Sequence, residues 1–328
     1  MPSAFSPVPS RLRRACCAAL ALAAVCGGAL AQTSGYPNRA TRFIVGPGPD
    51  ILARIVADKL SGEWGQAVIV DQRPGAGGIV AADTVAKAPP DGYNLLLSTG
   101  SYTINSVLQP NAPYDFVKDL TPVTLIATLP FVLVVNNDVP VHSVKELVAM
   151  AKAQPGKLNF ASAGNGTPPH LAGEMLKQMA KIDMVHVAYK GAAPGVNDVM
   201  AGLVQMMFVP APTALSLVKA GKLRAIAVSS PKRYFALPDV PTVAESGYPD
   251  FAVVGWNGVH VAARTPQPII DKLAKDIAAI MKMPEAREKA QAAGFEPVSS
   301  SRADFAAFVK ADIARSAKVI QEGHITAD

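Results

Sequence analysis

Short runs of apolar residues alternate along this chain with segments in which apolar residues recur every three to four positions. The runs at 42–46, 67–71 and 94–98 predict strands, since they are rich in β-branched residues and leucine. The segments that start at Ile51 and at Ile79 predict amphipathic helices between these strands. A βαβαβ alternation of this kind indicates parallel strands with helices on both faces of the sheet.

A second block with the same alternation begins at residue 131. Ser143 and Glu146 have the spacing of a capping box, which predicts the start of a helix. Gly221 predicts the end of another helix, because glycine readily adopts the left-handed conformation that closes helices. The strands of this block are predicted at 131–135, 158–161, 185–189, 205–208 and 223–228, and its other helices at 170–181, 196–203 and 214–219.

The end of the chain has a different pattern. Residues 253–262 predict one more strand, and three helical segments follow it at 267–282, 284–293 and 302–321. We interpret this strand as a return of the chain to the sheet of the first block.

The return strand predicts an α/β fold of two lobes with a hinge and a ligand cleft between them. The first lobe is discontinuous and takes residues 32–132 and 255–328, whereas the second lobe is inserted as residues 133–254. Two segments, near 129–136 and 254–261, would cross between the lobes and form the hinge.

Residues 1–31 have the order of a secretory signal peptide. Their arginines form a positively charged start, an apolar run follows at 15–30, and Ala-Leu-Ala at 29–31 is a small-x-small cleavage site. A membrane anchor is the alternative, but the run is short for a bilayer, which needs about 20 apolar residues. A lipoprotein would use Cys26, but Val25 is a poor residue at the preceding position. We therefore expect cleavage and a periplasmic location.

Removal of this segment changes the composition of the chain. All three cysteines lie in it, so the mature chain would have no disulfide, no thiolate metal site and no cysteine nucleophile. The formal charge would fall from +6 to +3, because three arginines leave. No block of lysine and arginine remains that would indicate a nucleic-acid or membrane surface.

Residues 161–171, Ala-Ser-Ala-Gly-Asn-Gly-Thr-Pro-Pro-His-Leu, pass from a predicted strand into a predicted helix. Gly164 and Gly166 loosen the backbone, while Ser162 and Thr167 add hydroxyl donors. Backbone N–H groups at a helix start are unpaired and carry partial positive charge, so this loop suits a carboxylate without a lysine or arginine. The alternative is an ordinary strand-to-helix loop that Thr167 caps.

Two polar loops also follow predicted strands of the first block, at 46–50 and 98–102. Ligands of open α/β sheets bind outside the carboxyl ends of the strands, where both loops would lie. The alternative for the first loop is a turn in which the aspartate only caps its helix. The candidate ligand-binding residues of these loops are Pro47, Gly48, Asp50, Ser98 and Thr99.

His170 and Lys190 complete the candidate site. His170 falls on the first turn of the helix after the 161–171 loop, and Lys190 ends a strand of the second lobe. The alternatives are a packing or hydrogen-bonding role for the histidine and a solvated surface charge for the lysine.

Other chemistry is not predicted. No histidines stand at metal-ligand spacing, and no nucleophile has an evident base, so we expect no metal and no catalysis. The glycine-rich residues 74–78 lack the lysine and serine or threonine of a phosphate loop and depart from the dinucleotide fingerprint. We interpret them as a tight turn that opens a helix, and we expect no cofactor.

Motifs over nearly the whole mature chain resemble those of the tripartite tricarboxylate transporter receptors, the Bug-type extracytoplasmic solute-binding proteins. The resemblance implies a periplasmic-binding-protein fold of type II (a Venus flytrap), no catalysis, and delivery of a carboxylate to a membrane permease. The motifs are Arg-Pro-Gly-Ala-Gly-Gly at 73–78, Pro-Asp-Gly-Tyr at 90–93, Ser-Ala-Gly at 162–164, His-Leu-Ala-Gly-Glu at 170–174, Tyr-Lys-Gly at 189–191, Ala-Gly-Lys-Leu-Arg-Ala at 220–225 and Leu-Pro-Asp-Val-Pro-Thr-Val-Ala-Glu-Ser-Gly at 237–247.

The resemblance also implies residue roles. Ser162, Ala163, Gly164 and Thr167 would hold one carboxylate through N–H and hydroxyl groups, and the loop 47–50 would hold the other end of the ligand, often through water.

The chain departs from the family in two places. Its first loop is shorter, and Val209 stands where relatives often have an aspartate. A shorter loop would leave more room, admit a different ligand or weaken binding, and the valine argues against recognition of a ligand amine at that position.

We therefore expect a monomeric binding protein for a mono- or dicarboxylate, aromatic ones included, that closes by lobe rotation and serves a tripartite transporter. One alternative is a sensor component that presents the same ligand to a membrane histidine kinase. Another is a hydrolase with Ser162 as its nucleophile, which would need a positioned base.

Overall fold

The computed structural model describes residues 35–46 and 50–326. The chain divides into two units, Met1–Arg39 and Ala40–Asp328, and every helix and strand of the described residues lies in the second. The predicted signal peptide, residues 1–31, lies outside the described residues.

The second unit alternates strands with helices, as the hydrophobic pattern predicts. Its strands are β1 (Thr41–Val45), β2 (Val68–Gln72), β3 (Asn94–Thr99), β4 (Leu120–Val135), β5 (Asn159–Ser162), β6 (Val185–Ala188), β7 (Met206–Pro210), β8 (Arg224–Val228), β9 (Val254–Ala262) and β10 (Glu296–Pro297). Its helices are α1 (Ile51–Trp64), α2 (Ile79–Ala86), α3 (Gly100–Leu108), α4 (Val144–Ala153), α5 (Pro168–Ala180), α6 (Ala192–Met200), α7 (Ala211–Lys219), α8 (Gln267–Ile280), α9 (Pro284–Ala292) and α10 (Arg302–Glu322). A 3-10 turn at Ala76–Gly78 precedes α2.

The strands form one ten-stranded sheet in the order β2-β1-β3-β9-β4-β7-β5-β6, with β8 and β10 also paired to β4. The long strand β4 divides it into two half-sheets. The first contains β2, β1, β3, β9, β10 and residues 120–130 of β4, and the second contains β7, β8, β5, β6 and residues 131–135 of β4. Helices cover both half-sheets, which confirms the predicted fold class of two α/β lobes. The predicted lobe boundaries, after residues 132 and 254, stay a prediction.

Ser229 joins the two segments that pass between the half-sheets. Its Oγ accepts the N–H of Phe131 at 2.9 Å and donates to the carbonyl oxygen of Val253, while the Val253 N–H donates back to the Ser229 carbonyl at 3.0 Å. The ends of both half-sheets are therefore linked through one buried side chain.

Two elements differ from the sequence-based expectation. The strand expected at 131–135 starts at Leu120, because shifts of register next to Pro122 let β4 continue although proline cannot donate to a ladder. The expected polar loop 98–102 is wrong, because α3 begins at Gly100, directly after β3.

Each lobe has its own apolar core. The first packs around Ile44, Leu96 and Trp256, whereas the second has one core on either face of its half-sheet, around Phe160 and around Tyr234. A smaller cluster joins the lobes, since Ile104 of α3 and Leu171 of α5 pack against Val319 and Ile320 of α10. None of the described helices combines the length and apolar composition that crossing a membrane requires.

Candidate functional site

The loop between β5 and α5 is held by hydrogen bonds from its carbonyl oxygens to other groups of the protein. The carbonyl oxygens of Ser162 and Ala163 accept the N–H groups of Tyr189 and Gly191 at 3.2 and 3.1 Å. The carbonyl oxygen of Gly164 accepts the hydroxyl of Thr167 at 2.7 Å. These three carbonyl oxygens are therefore engaged in hydrogen bonds within the protein.

Ser162 stabilises the same loop through hydrogen bonds of its buried side chain. Its side chain is fully buried, and Oγ lies 2.7 Å from Nε2 of His186 and accepts the Gly164 N–H at 3.1 Å. The serine is thus occupied within the protein and holds the backbone of the loop from behind, rather than offering a free hydroxyl to a ligand.

Two stacked histidines lie under the loop. The rings of His170 and His186 are 3.8 Å apart and nearly parallel, and Nδ1 of His170 accepts the Gly166 N–H at 3.4 Å. Burial, together with the nearby His186 and Lys177, lowers the pKa of His170 to about 3. The ring is therefore neutral and can accept the amide hydrogen, so His170 orients the loop.

The available donors of this loop are backbone amides. The N–H groups of Ala163 and Thr167 have no hydrogen-bond partner among the residues that the structure describes. The expectation that the helix start supplies the donors needs correction, because α5 begins with Pro168 and Pro169, which have no N–H. Thr167 stands at the cap position but does not cap α5 through its side chain, since that hydroxyl donates to Gly164.

Helix α3 of the first lobe lies directly against this loop. A Cβ on Gly166 would be 3.0 Å from Oδ1 of Asn105 and 2.9 Å from Cδ1 of Leu108, and φ of this glycine is +68°. Asn105 also donates from Nδ2 to the carbonyl oxygen of Gly77 at 3.2 Å, so one buried side chain contacts a loop of each lobe. A larger residue at position 166 would be strained at this φ and would displace the ends of the Asn105 and Leu108 side chains.

The predicted site residues of the first loop, at 47–50, do not belong to the loop between β5 and α5. Asp50 accepts hydrogen bonds from Arg54 and Gln72 and makes no side-chain cap, so the alternative that it caps α1 through its side chain is wrong. The Arg54 guanidinium is the main cause that lowers the pKa of Asp50. Pro47 and Gly48 lie outside the described residues.

The structure places Ser98 inside the first lobe. The side chain is fully buried, and Oγ bonds to Nδ1 of His260 at 2.7 Å and to the carbonyl oxygen of Gly258 at 3.0 Å. Thr99, the next residue, is half-buried at the start of α3 and does not cap that helix. Of these two residues, only Thr99 has an accessible side chain.

Lys190 and Val209 differ in what they offer a ligand. Lys190 is exposed and stands between the two residues whose amides bond to the 162–163 backbone, so it brings a positive charge close to the loop. Val209 is fully buried in β7, within an apolar core of the second lobe. The position where relatives often have an aspartate is therefore used for packing in this chain.

Sequence reasoning missed His186, Asn105 and the relation of both to the loop. His186 stands between two valines of the short strand β6, and Asn105 lies in a helix that the pattern did not predict. Among residues 35–46 and 50–326, no group of three histidine, cysteine, aspartate or glutamate side chains is placed to hold a metal ion.

The comparison with known proteins identifies the family. The model of the tripartite tricarboxylate transporter family receptor matches residues 52–325. The chain belongs to this family. As a tripartite tricarboxylate transporter receptor, it is grouped with periplasmic solute receptors and not with enzymes.

Two relatives of this receptor show how far the similarity extends. It is 36% identical to a protein encoded in the tcbD-tcbE intergenic region of a Pseudomonas species, over 96% of each chain. It is also 36% identical to BugT of Bordetella pertussis, over 88% of this receptor and 90% of BugT.

Solved structures have the same fold. An R. palustris protein with adipate is 34% identical, with a TM-score of 0.81 over 89% of this receptor and 99% of that chain. MatC from Rhodopseudomonas palustris with bound malate is 28% identical, with a TM-score of 0.77 over 87% of this receptor and all of MatC. Both relatives carry a dicarboxylate.

Proposed function

We propose that this receptor captures a small mono- or dicarboxylate between its lobes, as a monomer, and delivers it to the membrane permease of a tripartite tricarboxylate transporter. The observation that carries the proposal is the loop 163–167, in which the carbonyl oxygens of Ala163 and Gly164 accept hydrogen bonds from the protein, while the N–H groups of Ala163 and Thr167 make no hydrogen bond within residues 35–46 and 50–326. Free amides next to inward carbonyls form a surface that favours an anion.

The grip on the anion would come from dipoles rather than from an ion pair. Amide hydrogens donate to a carboxylate with the strength of charge-assisted bonds, about 1.5–3 kcal/mol each. Lys190 adds a positive charge near the loop but is exposed, so water screens its attraction. A binding protein must also release its ligand. Binding of the carboxylate without an ion pair to a buried cation is compatible with release.

The ligand class follows from the relatives together with the loop. Adipate and malate occupy two solved family members of the same fold, and both are small dicarboxylates. The loop of the second lobe lies against α3 of the first, where Gly166 adjoins Asn105. We propose that the ligand lies at this junction and that its binding favours the closed arrangement.

Ligand binding is tested by thermal unfolding and by isothermal titration of the mature protein. The ligands are adipate, malate and benzoate, and the controls are the corresponding amides. A ligand at about 100 times its Kd should stabilise the folded protein by about 2.7 kcal/mol. Carboxylates should raise the unfolding temperature and the amides should not. A rise with sugars or metal cations and none with any carboxylate would reject the proposal.

Export and delivery are tested in cells. Mass spectrometry of the periplasmic fraction should find the chain starting at Gln32, as cleavage after residue 31 predicts. Deletion of the gene should abolish uptake of the labelled carboxylate that the purified protein binds, and the full-length gene should restore it. Uptake that does not change on deletion would contradict the transport role while leaving the binding result intact.

A further inference from the structure

The hydroxyl of Tyr102 is a buried polar group that the fold leaves without a partner. The side chain is 2% exposed, and Oη makes no hydrogen bond within residues 35–46 and 50–326. Buried phenols normally find an acceptor, since an unpaired buried donor is unfavourable. An orphaned group of this kind calls for a partner from outside the chain.

The orphaned hydroxyl lies at the carboxyl edge of the first half-sheet. A Cβ on Gly46, which follows β1, would be 2.5 Å from Oη, and a Cβ on Gly78, which precedes α2, would be 3.1 Å from it. Gly46 and Gly78 thus leave room for the phenol where a larger residue would not. Ligands of α/β sheets bind outside this edge. The Thr41 hydroxyl also has no partner in the part of the chain that the structure describes, but it lies at the opposite end of β1.

The direction of the phenol is fixed by packing. The ring of Tyr102 stacks on Phe116 with centroids 5.8 Å apart and planes 10° apart. Burial raises the pKa of Tyr102, so the hydroxyl keeps its proton and acts as a neutral donor. The ring therefore has a fixed position, and its hydroxyl, which Gly46 and Gly78 adjoin, is a donor in the free protein.

The hydroxyl is close to the carboxylate-binding loop of the second lobe. Tyr102 and Asn105 are three residues apart on α3, a spacing that places side chains roughly 5–6 Å from each other. Asn105 in turn contacts Gly166 in the loop and Gly77 beside α2. Asn105 therefore links the loop of the second lobe to the segment at residues 77–78 that packs against the Tyr102 ring.

We infer that Tyr102 is the hydrogen-bond donor of the first lobe to the second carboxylate of a bound dicarboxylate, and that it separates dicarboxylates from monocarboxylates. The inference rests on the proposed function, because it takes the loop 163–167 as the site of the first carboxylate. It assigns the far end of the ligand to a neutral phenol rather than to a cation.

The test is Tyr102→Phe, which removes one oxygen and retains the ring and its stacking. Titrations compare adipate with hexanoate, which has the same six-carbon chain and one carboxylate, and malate with 3-hydroxybutyrate. The variant should bind the dicarboxylates about tenfold more weakly, as loss of one bond to a charged group implies, and the monocarboxylates with unchanged affinity.

Tyr234→Phe is the matched control. Tyr234 is fully buried in the second lobe, and its hydroxyl donates to the carbonyl oxygen of Gly294 at 3.0 Å. The control should unfold at a lower temperature and leave the ratio of dicarboxylate to monocarboxylate affinity unchanged, because its bond joins residues of the two predicted lobes and involves no part of the proposed ligand site. Tyr102→Phe should unfold at the same or a higher temperature, because its lost hydroxyl has no partner in the free protein.

Four results would overturn the inference. Unchanged dicarboxylate affinity in Tyr102→Phe, with lower stability, would mean that the hydroxyl bonds to the chain or to an ordered water. Equal weakening of both ligand classes would give Tyr102 a role in the shape of the cleft alone. If the wild-type protein binds monocarboxylates but no dicarboxylate, the role of Tyr102 toward a second carboxylate is rejected and the proposed function stands. If it binds neither class, both the role of Tyr102 and the proposed function are rejected.

Discussion

Replacement of Ser162 by alanine tests whether the loop is held from behind by this residue. The side chain is fully buried, and the substitution removes the acceptor of the Gly164 N–H and the hydroxyl that lies 2.7 Å from Nε2 of His186. It leaves no large cavity, because only one oxygen is lost. The effect therefore reports on hydrogen bonding rather than on packing.

The magnitude follows from the groups left unpaired. An unsatisfied donor or acceptor that is shielded from water costs about 1–3 kcal/mol, so Ser162→Ala should lower the free energy of unfolding by about 2 kcal/mol. The amides of the loop would also lose their fixed direction. If one charge-assisted bond to the ligand is lost, affinity falls by about tenfold or more.

Urea denaturation measures the first effect and isothermal titration with the tightest-binding carboxylate measures the second. The control is Ser143→Ala, which removes the cap of α4, where Oγ accepts the Glu146 N–H at 3.2 Å. That loss should cost about 1 kcal/mol of stability and leave affinity unchanged. Wild-type affinity in a folded Ser162→Ala protein would refute the view that this serine organises the binding loop.

Two more outcomes follow from packing and from buried histidines. Gly173→Ala should destabilise the protein by about 1–3 kcal/mol in urea denaturation, because its Cβ would lie 2.2 Å from a ring carbon of Phe160. The control Gly62→Ala, at an open position of α1, should stabilise the protein by about 0.5–1 kcal/mol. Equal effects of the two substitutions would contradict the packing of α5. The free energy of unfolding should fall as the pH drops from about 6.5 to 5. Burial lowers the pKa values of His170 and His260 to about 3, so only the unfolded chain binds protons at these histidines in that pH range. The loss is at most about 1.4 kcal/mol per pH unit for each histidine. His170→Asn should make this decline shallower in denaturation series at pH 7.5, 6.5, 5.7 and 5.0, and an unchanged slope would mean that the ring is charged in the folded protein.

Much of the fold could be predicted from the order of residues. Local periodicity indicates strands and helices, and the hydrophobic pattern predicted the bounds of four strands within one or two residues of those observed, namely β1, β3, β5 and β9. Family motifs then indicated the loop that starts at Ser162. Caps are equally local, and the predicted capping bond from Ser143 to the Glu146 N–H is present.

Local pattern failed where distant contacts decide the structure. Prolines at 122 and 130 argue against a strand, yet β4 runs through both because its neighbours supply the pairing and its register shifts. Helix α3 has polar residues at its start, and its fold depends on burial of Tyr102 and Ile104 against other elements.

The chemistry of the site depended on the tertiary structure most of all. The sequence determined that Ser162, Thr167 and His170 stand near one turn, because they are neighbours in the chain. Only the folded chain brought His186 behind that turn and Asn105 in front of it, and only the folded chain left the Tyr102 hydroxyl without a partner. Whether a polar group is satisfied depends on atoms from distant segments, and local sequence carries no record of those distances.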